Sequence, residues 1–406
     1  MIRCGFVLLI LFVSAVSISG CSGNRTELND LGVTTATGFD RKNGNWCISY
    51  QIIVPPANTA TGAMGGSQTP VTIFSAYGKT IKEALTRSSL ENPKKVYFAH
   101  TNVILIGDEA AKYGIAEIMD NFYRNVNARE TVKVIITDGE AKNYLKKLVP
   151  PEKQPGLALS EILERSNERG SYYAVMNLHE IALKITSDSG TAGIPILTVK
   201  GKETGKLESI NIYKQTSTPA KLKLEGLSIF YKDKEIGIMN QSESMGVSWL
   251  TDQVHRTSLS YTGENGEVNN FLVRKANVKV MPIKSGQHYS VQVNVKANAE
   301  LDESTSQKDL ESTHNIQKMQ LEGARVIKSQ ILTGWNASQR LRVDPMGIAN
   351  KIHQRDPKYW KKIENTWPQE LAQMDIHINV DFTIQRVGLL QNSFGRLLHK
   401  ENEGEH

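Results

Sequence analysis

The chain has 406 residues, of which 39% are hydrophobic and 22% charged, and a net charge of +6. That balance is ordinary for globular protein and excludes a charged, disordered polymer. The positive excess is spread as pairs, Lys94-Lys95, Lys146-Lys147 and Lys361-Lys362, with no block of five or six like charges to suggest a nucleic-acid site.

The N-terminus carries a short positive region at Arg3, an apolar run from Phe6 to Val16, and then Ile18-Ser19-Gly20-Cys21. Small residues leading to a cysteine are the order of a cleaved lipoprotein signal. Cleavage is expected between Gly20 and Cys21, with a diacylglyceryl group on the Cys21 thiol. A membrane-spanning anchor needs about 20 apolar residues, and this run holds about half that before Ser, Gly and Cys dilute it. Two or three acyl chains bind a bilayer far more firmly than one, at about 0.8 kcal/mol per buried methylene. The expected mature protein begins at Cys21, lies outside the cytoplasm and keeps about 385 residues, enough for two or three domains. Cys4 leaves with the signal and Cys21 takes lipid, so Cys47 is the one remaining thiol. No internal disulfide is expected. Within Trp46-Cys47-Ile48, that thiol reads as a small core residue.

Ser22 to Thr26 reads as a flexible tether. Val33 to Phe39 and Trp46 to Val54 are predicted as a hairpin, because Asn43-Gly44 between them tolerates the positive φ angles of a tight turn. Pro55-Pro56 ends it, and Ala57 to Gln68 is read as a loop. A strand is expected over Val71 to Ala76, a helix over Thr80 to Leu90, and a long strand over Val96 to Ile106. A helix then runs from an N-cap at Asp108 to about Tyr123. Thr131 to Thr137 is a strand, and Glu140 to Leu148, Leu157 to Arg165 and Asn177 to Ile185 are helices. Ile194 to Val199 is a strand. Gly201-Lys202-Glu203-Thr204-Gly205 is a polar linker and marks the first expected domain boundary.

Beyond it, Leu207 to Tyr213, Ala220 to Tyr231, Ile236 to Met239, Gly246 to Thr251 and Leu272 to Val280 read as β. Tyr289 to Ala297 alternates strictly, with Val291, Val293 and Val295 on one side, as a half-buried strand should. A long helix from about Leu310 to Thr333 carries Ile316, Met319, Ala324, Ile327 and Ile331, with Trp335 just beyond, as one apolar stripe. Lys351 to Leu371 is largely helical and Asp375 to Gln385 a strand; the tail from Lys400 is polar. The expected class is α+β, with three mixed helix/sheet domains behind a cleaved lipoprotein signal peptide. The spans are 1–20 signal, 21–200, a β-rich 201–265, 266–395, and a polar tail at 396–406.

Searches for chemistry return little. Gly78-Lys79-Thr80 invites a phosphate loop, but the glycine needed five positions earlier is Ile73. The nine histidines are scattered without metal-ligand spacing. His100, inside the expected strand, reads as a satisfied core or hydrogen-bonding histidine and not as a catalytic one. Trp335 and Trp360, on helices, read as core or interface residues and not as sugar platforms. No nucleophile elbow or Ser-His-Asp order appears. No catalytic residue, metal or cofactor is assigned, and an enzyme is not expected.

The order of short motifs resembles the Ger(x)C family of spore-germination lipoproteins, the C subunits of nutrient germinant receptors. The matching residues are Cys21 followed by Glu27 to Leu31, Gly38-Phe39-Asp40, Gly78-Lys79-Thr80-Ile81 with Ala84, His100, Ile106-Gly107, Gly114-Ile115, Arg124 and Arg129. Further on come Gly226 to Phe230, Gly237, Glu243-Ser244-Met245-Gly246, Trp360 and Val387-Gly388. One departure is Ser22-Gly23-Asn24, where family members often carry Trp-Asp. The resemblance implies a lipid-anchored subunit on the outer face of the inner spore membrane, docked on membrane-spanning A- and B-type subunits. It also implies that small nutrients trigger the complex, with an assembly or signalling role for this chain. The rival from another class is a lipid-anchored solute-binding protein of a transporter. That rival expects doubly wound α/β lobes throughout, which the β-rich middle third does not suit.

Overall fold

The computed structural model describes residues 30–54, 68–125, 129–286, 288–310 and 312–386. The signal, the tether, most of the 57–68 loop, the Val387-Gly388 match and the polar tail fall outside them. β1 (Leu31–Lys42) and β2 (Asn45–Ile53) form the expected hairpin. Lys42 lies opposite Asn45, and Asn43 and Gly44 between them take φ of 50° and 76°.

β3 (Val71–Gly78) pairs with β2. β4 (Lys95–Tyr97), β5 (Val103–Gly107), β6 (Lys133–Thr137), β7 (Thr191–Gly201), β8 (Ala220–Tyr231) and β9 (Lys234–Asn240) complete a nine-stranded mixed sheet. Its order is β3-β2-β1-β5-β6-β7-β8-β9, with β4 against the start of β1. β1, β5, β6 and β7 run parallel. Helices cover both faces. Phe39, Ile104, Ile106 and Phe230 pack on one side with the helices Ile81–Ser88, Ala116–Tyr123 and Leu178–Thr186. Val103, Leu105, Leu197 and Ile229 pack on the other with the helices Ala141–Leu145 and Pro155–Gly170. A strand buried on both faces reads as a continuous apolar run, and β5 is buried at all five positions.

β10 (Thr257–Thr262), β11 (Val268–Ser285), β12 (His288–Ser304) and β13 (Ile376–Arg386) form a second sheet in that order. β12 and β13 are parallel, so the chain between them must cross over. It does so through the long helix Thr313–Leu341 and three short helices, Ile348–Arg355, Pro357–Ile363 and Trp367–Gln373. These cover one face only. Val291, Val293, Ile327, Ile331, Trp335, Trp360 and Trp367 share that core, and burying each such large side chain contributes about 1.5–3 kcal/mol. Among the described residues no helix is long and apolar enough to cross a membrane.

The α+β class is as the sequence predicts; several local expectations are corrected. The strand expected over Val96 to Ile106 is interrupted by a 3-10 turn at Phe98–His100. The helix expected from Asp108 to Tyr123 breaks into Asp108–Tyr113 and Ala116–Tyr123. There the Ile115 N–H donates to the Asp233 carbonyl at 2.8 Å, so the β8–β9 turn docks into the break. Gly107 precedes the first of these helices, and Asp108 sits inside it, accepting from the Glu109 N–H at 2.8 Å. Leu207 to Tyr213 is two 3-10 turns that bury Leu207 and Ile212. Gly246 to Thr251 is not β: it belongs to the helix Gln241–Leu250, whose start is fixed by a capping box between Asn240 and Glu243. The polar linker from Gly201 joins two antiparallel neighbours of one sheet, since β7 pairs with β8 from Thr191↔Tyr231 to Gly201↔Ala220.

Candidate functional site

Gly20 and Cys21, assigned to cleavage and lipidation, lie outside the described residues. His100 is an exposed residue at the end of its 3-10 turn, its ring 5.5 Å from that of Tyr97, and not a core histidine. At Lys79-Thr80, the Thr80 hydroxyl accepts from the Glu83 N–H at 3.1 Å and the Glu83 carboxylate accepts from the Lys79 N–H at 2.7 Å. That is a capped helix start and leaves the Thr80 oxygen committed. Cys47, Trp335 and Trp360 are buried, and burial pushes the Cys47 thiol up.

Several residues that carry the motif pattern hold the fold together. Asp40 on β1 is buried and accepts from the N–H groups of Ala141 at 2.6 Å and Lys142 at 3.0 Å, capping a helix a hundred residues away. Burial pushes its carboxyl up to about 6 even though both N–H bonds favour the charged form. Arg124 is bound to Asp120 at 2.8 Å. With Lys82 and Glu117, that pair lines an open surface cleft of about 860 Å³ between the helices Ile81–Ser88 and Ala116–Tyr123.

The Glu243-Ser244-Met245-Gly246 match leads to the junction between the two sheets. There the helix Gln241–Leu250 crosses the long helix at Gly246 and Gly334. A Cβ on Gly246 would collide with the Gln330 carbonyl and the Gly334 backbone, and one on Gly334 would collide with Gly246 and the Val247 nitrogen. Backbone meets backbone, so neither position admits a side chain without moving a helix. Trp249 Nε1 donates to Gln330 Oε1 at 2.8 Å, and Arg340 pairs with Glu243 at 2.6 Å, on either side of the crossing.

Beside it, the fully buried Asp344 accepts from the N–H groups of Ile348 at 3.0 Å and Ala349 at 2.8 Å, while its own N–H donates to Thr191 Oγ1 at 3.2 Å. The Ser189 N–H donates to Asn350 Oδ1 at 3.0 Å, and His353 meets Asp188 at 2.9 Å. Burial pushes the Asp344 carboxyl up and the Lys184 ammonium down. Lys184, Met176, Thr191, Val247 and Pro345 line a cavity of about 160 Å³ there. The run Asp344-Pro345-Met346-Gly347-Ile348 was a readable helix start, but nothing local showed that its carboxylate would be buried between two sheets. Among the described residues no group of three His, Cys, Asp or Glu could hold a metal. The junction joins the two sheets through backbone contact at Gly246 and Gly334 and through hydrogen bonds on either side of it.

Comparison with known proteins fits this architecture. Residues 24–199 match the family model described as spore germination protein N-terminal domain, and residues 225–388 match spore germination B3/GerAC like, C-terminal. Spore germination protein KC of Bacillus subtilis is 25% identical over 401 residues, covering 97% of this chain and 98% of that protein. Spore germination protein GerQC of Bacillus cereus is 20% identical over 390 residues, covering 94% and 99%. The crystal structure of the GerBC protein superposes with a TM-score of 0.55 at 17% identity, covering 86% of this chain and 96% of that one, which shows a shared fold. The chain belongs to the Ger(x)C family of spore germination proteins.

Proposed function

We propose that this spore germination protein is the C-type subunit of a nutrient germinant receptor, held by lipid on Cys21 to the outer face of the inner spore membrane. In this reading it docks on membrane-spanning A- and B-type subunits and serves assembly or signalling, without catalysis. The observation that carries it is the match to spore germination proteins along nearly the whole of both chains. The Ile18-Ser19-Gly20-Cys21 ending of an apolar run supports the anchor. A tether confines the folded body beside its partners and raises its effective concentration to roughly millimolar without a large interface. The rigid junction suits such a part, because a displacement imposed on one sheet is passed to the other.

Replacing Cys21 with Ala is the test. The expected outcome is a folded chain released from the membrane and spores that no longer respond to nutrient. A normal nutrient response with the protein found off the membrane would overturn the reading.

A further inference from the structure

Lys361-Lys362 stands as an isolated pair in the sequence, but folding gives it company. In the helix Pro357–Ile363, Trp360 and Ile363 turn inward, so Lys358, Lys361 and Lys362, spaced three and four apart, share the exposed face. Arg355 ends the preceding helix, is exposed, and donates to the Pro282 carbonyl at 3.0 Å. Lys284, near the tip of the β11–β12 hairpin, meets Asp356 at 2.6 Å, and its ammonium lies over the rings of Tyr359 and Tyr289 at 5.4 and 5.9 Å. Five exposed cations from two helices and a hairpin thus gather on one end of the C-terminal unit. The carboxylates among them are Asp356, already bound by Lys284, and the exposed Glu364; Glu370 lies near Tyr359. Among the described residues none of Lys358, Lys361 and Lys362 is within 4 Å of a carboxylate.

Strand register adds a second, independent observation. Ala36 of β1 lies opposite Val103 of β5, Val103 opposite Lys133 of β6, and Ile136 opposite Ile196 of β7, all in parallel. β1 and β7 therefore run in the same direction, and Leu31 at the start of β1 and Asp188, in the turn just before β7, lie at the same end of the sheet. Asp188 and Ser189 are the residues that bind His353 and Asn350 of the helix leading to the cationic face. Three strand spacings of about 4.8 Å separate β1 from β7. The start of β1 and the cationic face therefore lie at the same end of the nine-stranded sheet. The nine residue steps from Cys21 to Asp30 can span at most about 30 Å.

We propose that the face formed by Lys284, Arg355, Lys358, Lys361 and Lys362 docks on an anionic phospholipid surface and fixes how the body sits on the bilayer. Lysines presented on one helix face suit a plane of phosphate headgroups, which asks for charge and not for a fixed fork of hydrogen bonds. The orientation rests on the lipid anchor proposed above; the electrostatic contact does not.

The test uses the full chain purified from membranes and mixed with vesicles, either of phosphatidylcholine alone or with about 30% phosphatidylglycerol. Lysines are acetylated with a soluble reagent and read by mass spectrometry. Labelling of Lys358, Lys361 and Lys362 is expected to fall about fivefold on the anionic vesicles and to recover in about 0.5 M salt, where charge is screened beyond a few ångströms. Lys221, at the far end of β8, should label alike on both. Equal labelling of the three lysines on both vesicles would overturn the proposal. So would protection that depends on other spore membrane proteins and not on lipid charge, which would make the face a protein interface. The triple variant Lys358→Glu/Lys361→Glu/Lys362→Glu, with unchanged circular dichroism, should lose protection of Lys284; retained protection counts against the proposal. The same digest weighs the peptide holding Cys21. An unmodified Cys21 with protected lysines would sink the anchor and keep the face, and a lipidated Cys21 with unprotected lysines would do the reverse.

Discussion

β12 buries Val291, Val293 and Val295 and leaves Ser290, Gln292 and Asn294 partly open, whereas β5 buries all of Val103, Ile104, Leu105, Ile106 and Gly107. The first strand lies in a sheet covered by helices on one face, and the second in a sheet covered on both. One-sided burial imposes a period of two on the sequence, while two-sided burial removes it. The C-terminal sheet therefore announces its inner face residue by residue. The N-terminal sheet shows only apolar runs, which do not say which helix meets which side.

Truncating adjacent residues puts that contrast at risk. Ile104→Ala and Leu105→Ala point to opposite faces, yet each is expected to cost about 2–5 kcal/mol in urea melts. Asn294→Ala, next to buried Val293, should cost under about 0.5 kcal/mol. A silent change at Ile104 or Leu105, or a damaging one at Asn294, would erase the distinction between the sheets.

Asp40 sharpens the comparison through pH, because two-sided cover leaves its carboxyl little water. Its pKa is 3.8 in the open chain and about 6 when folded, so between those values the folded protein keeps a proton that the unfolded chain has released. The stability it contributes is full below about pH 4 and is lost as pH rises through about 6, by up to about 3 kcal/mol. Wild type should lose ground against Asp40→Asn across that window. Parallel stability curves for the two proteins would refute the assignment.

Smaller effects are expected where the sheets meet. Gly334→Val must push the helix Gln241–Leu250 away and should cost about 1–3 kcal/mol, splitting one calorimetric transition into two as the sheets decouple. A single, unshifted transition would show that the crossing does not bind them. Asn240→Ala removes the cap of that helix and should cost about 1 kcal/mol, with faster hydrogen exchange confined to its first turn. Uniformly faster exchange would mean that the cap supports the whole junction.

Much of this was legible from the residues. Asn43-Gly44 specified a two-residue turn, and the alternation of Tyr289 to Ala297 specified β12. The apolar stripe from Ile316 to Ile331 specified the long helix, although it extends through Trp335 to Leu341. Gly246 to Thr251 reads as β through Val247 and Trp249, but the capping pair at Asn240 and Glu243, just outside that window, starts a helix there. Leu207 to Tyr213 reads as a strand through its apolar residues, but Leu207 and Ile212 are buried by the end of the large sheet and not by periodic packing of their own segment. The lipidation residues were read from order alone, whereas the cationic face was not legible, since it needs Lys284 and Lys358 brought together from 74 positions apart.

The two segments matched by family models end and begin on either side of the connection from β7 to β8, and those strands are hydrogen-bonded neighbours. A recombination crossover in that connection would give one parent's β7 another parent's β8, forcing eleven facing residue pairs from different lineages to fit. Paralogues of this protein should therefore exchange halves poorly there. Chimaeras cut after Leu250 would inherit an intact sheet, and would need Gly246 and Gly334 to stay bare and the pairs Glu243–Arg340, Trp249–Gln330 and Thr191–Asp344 to match.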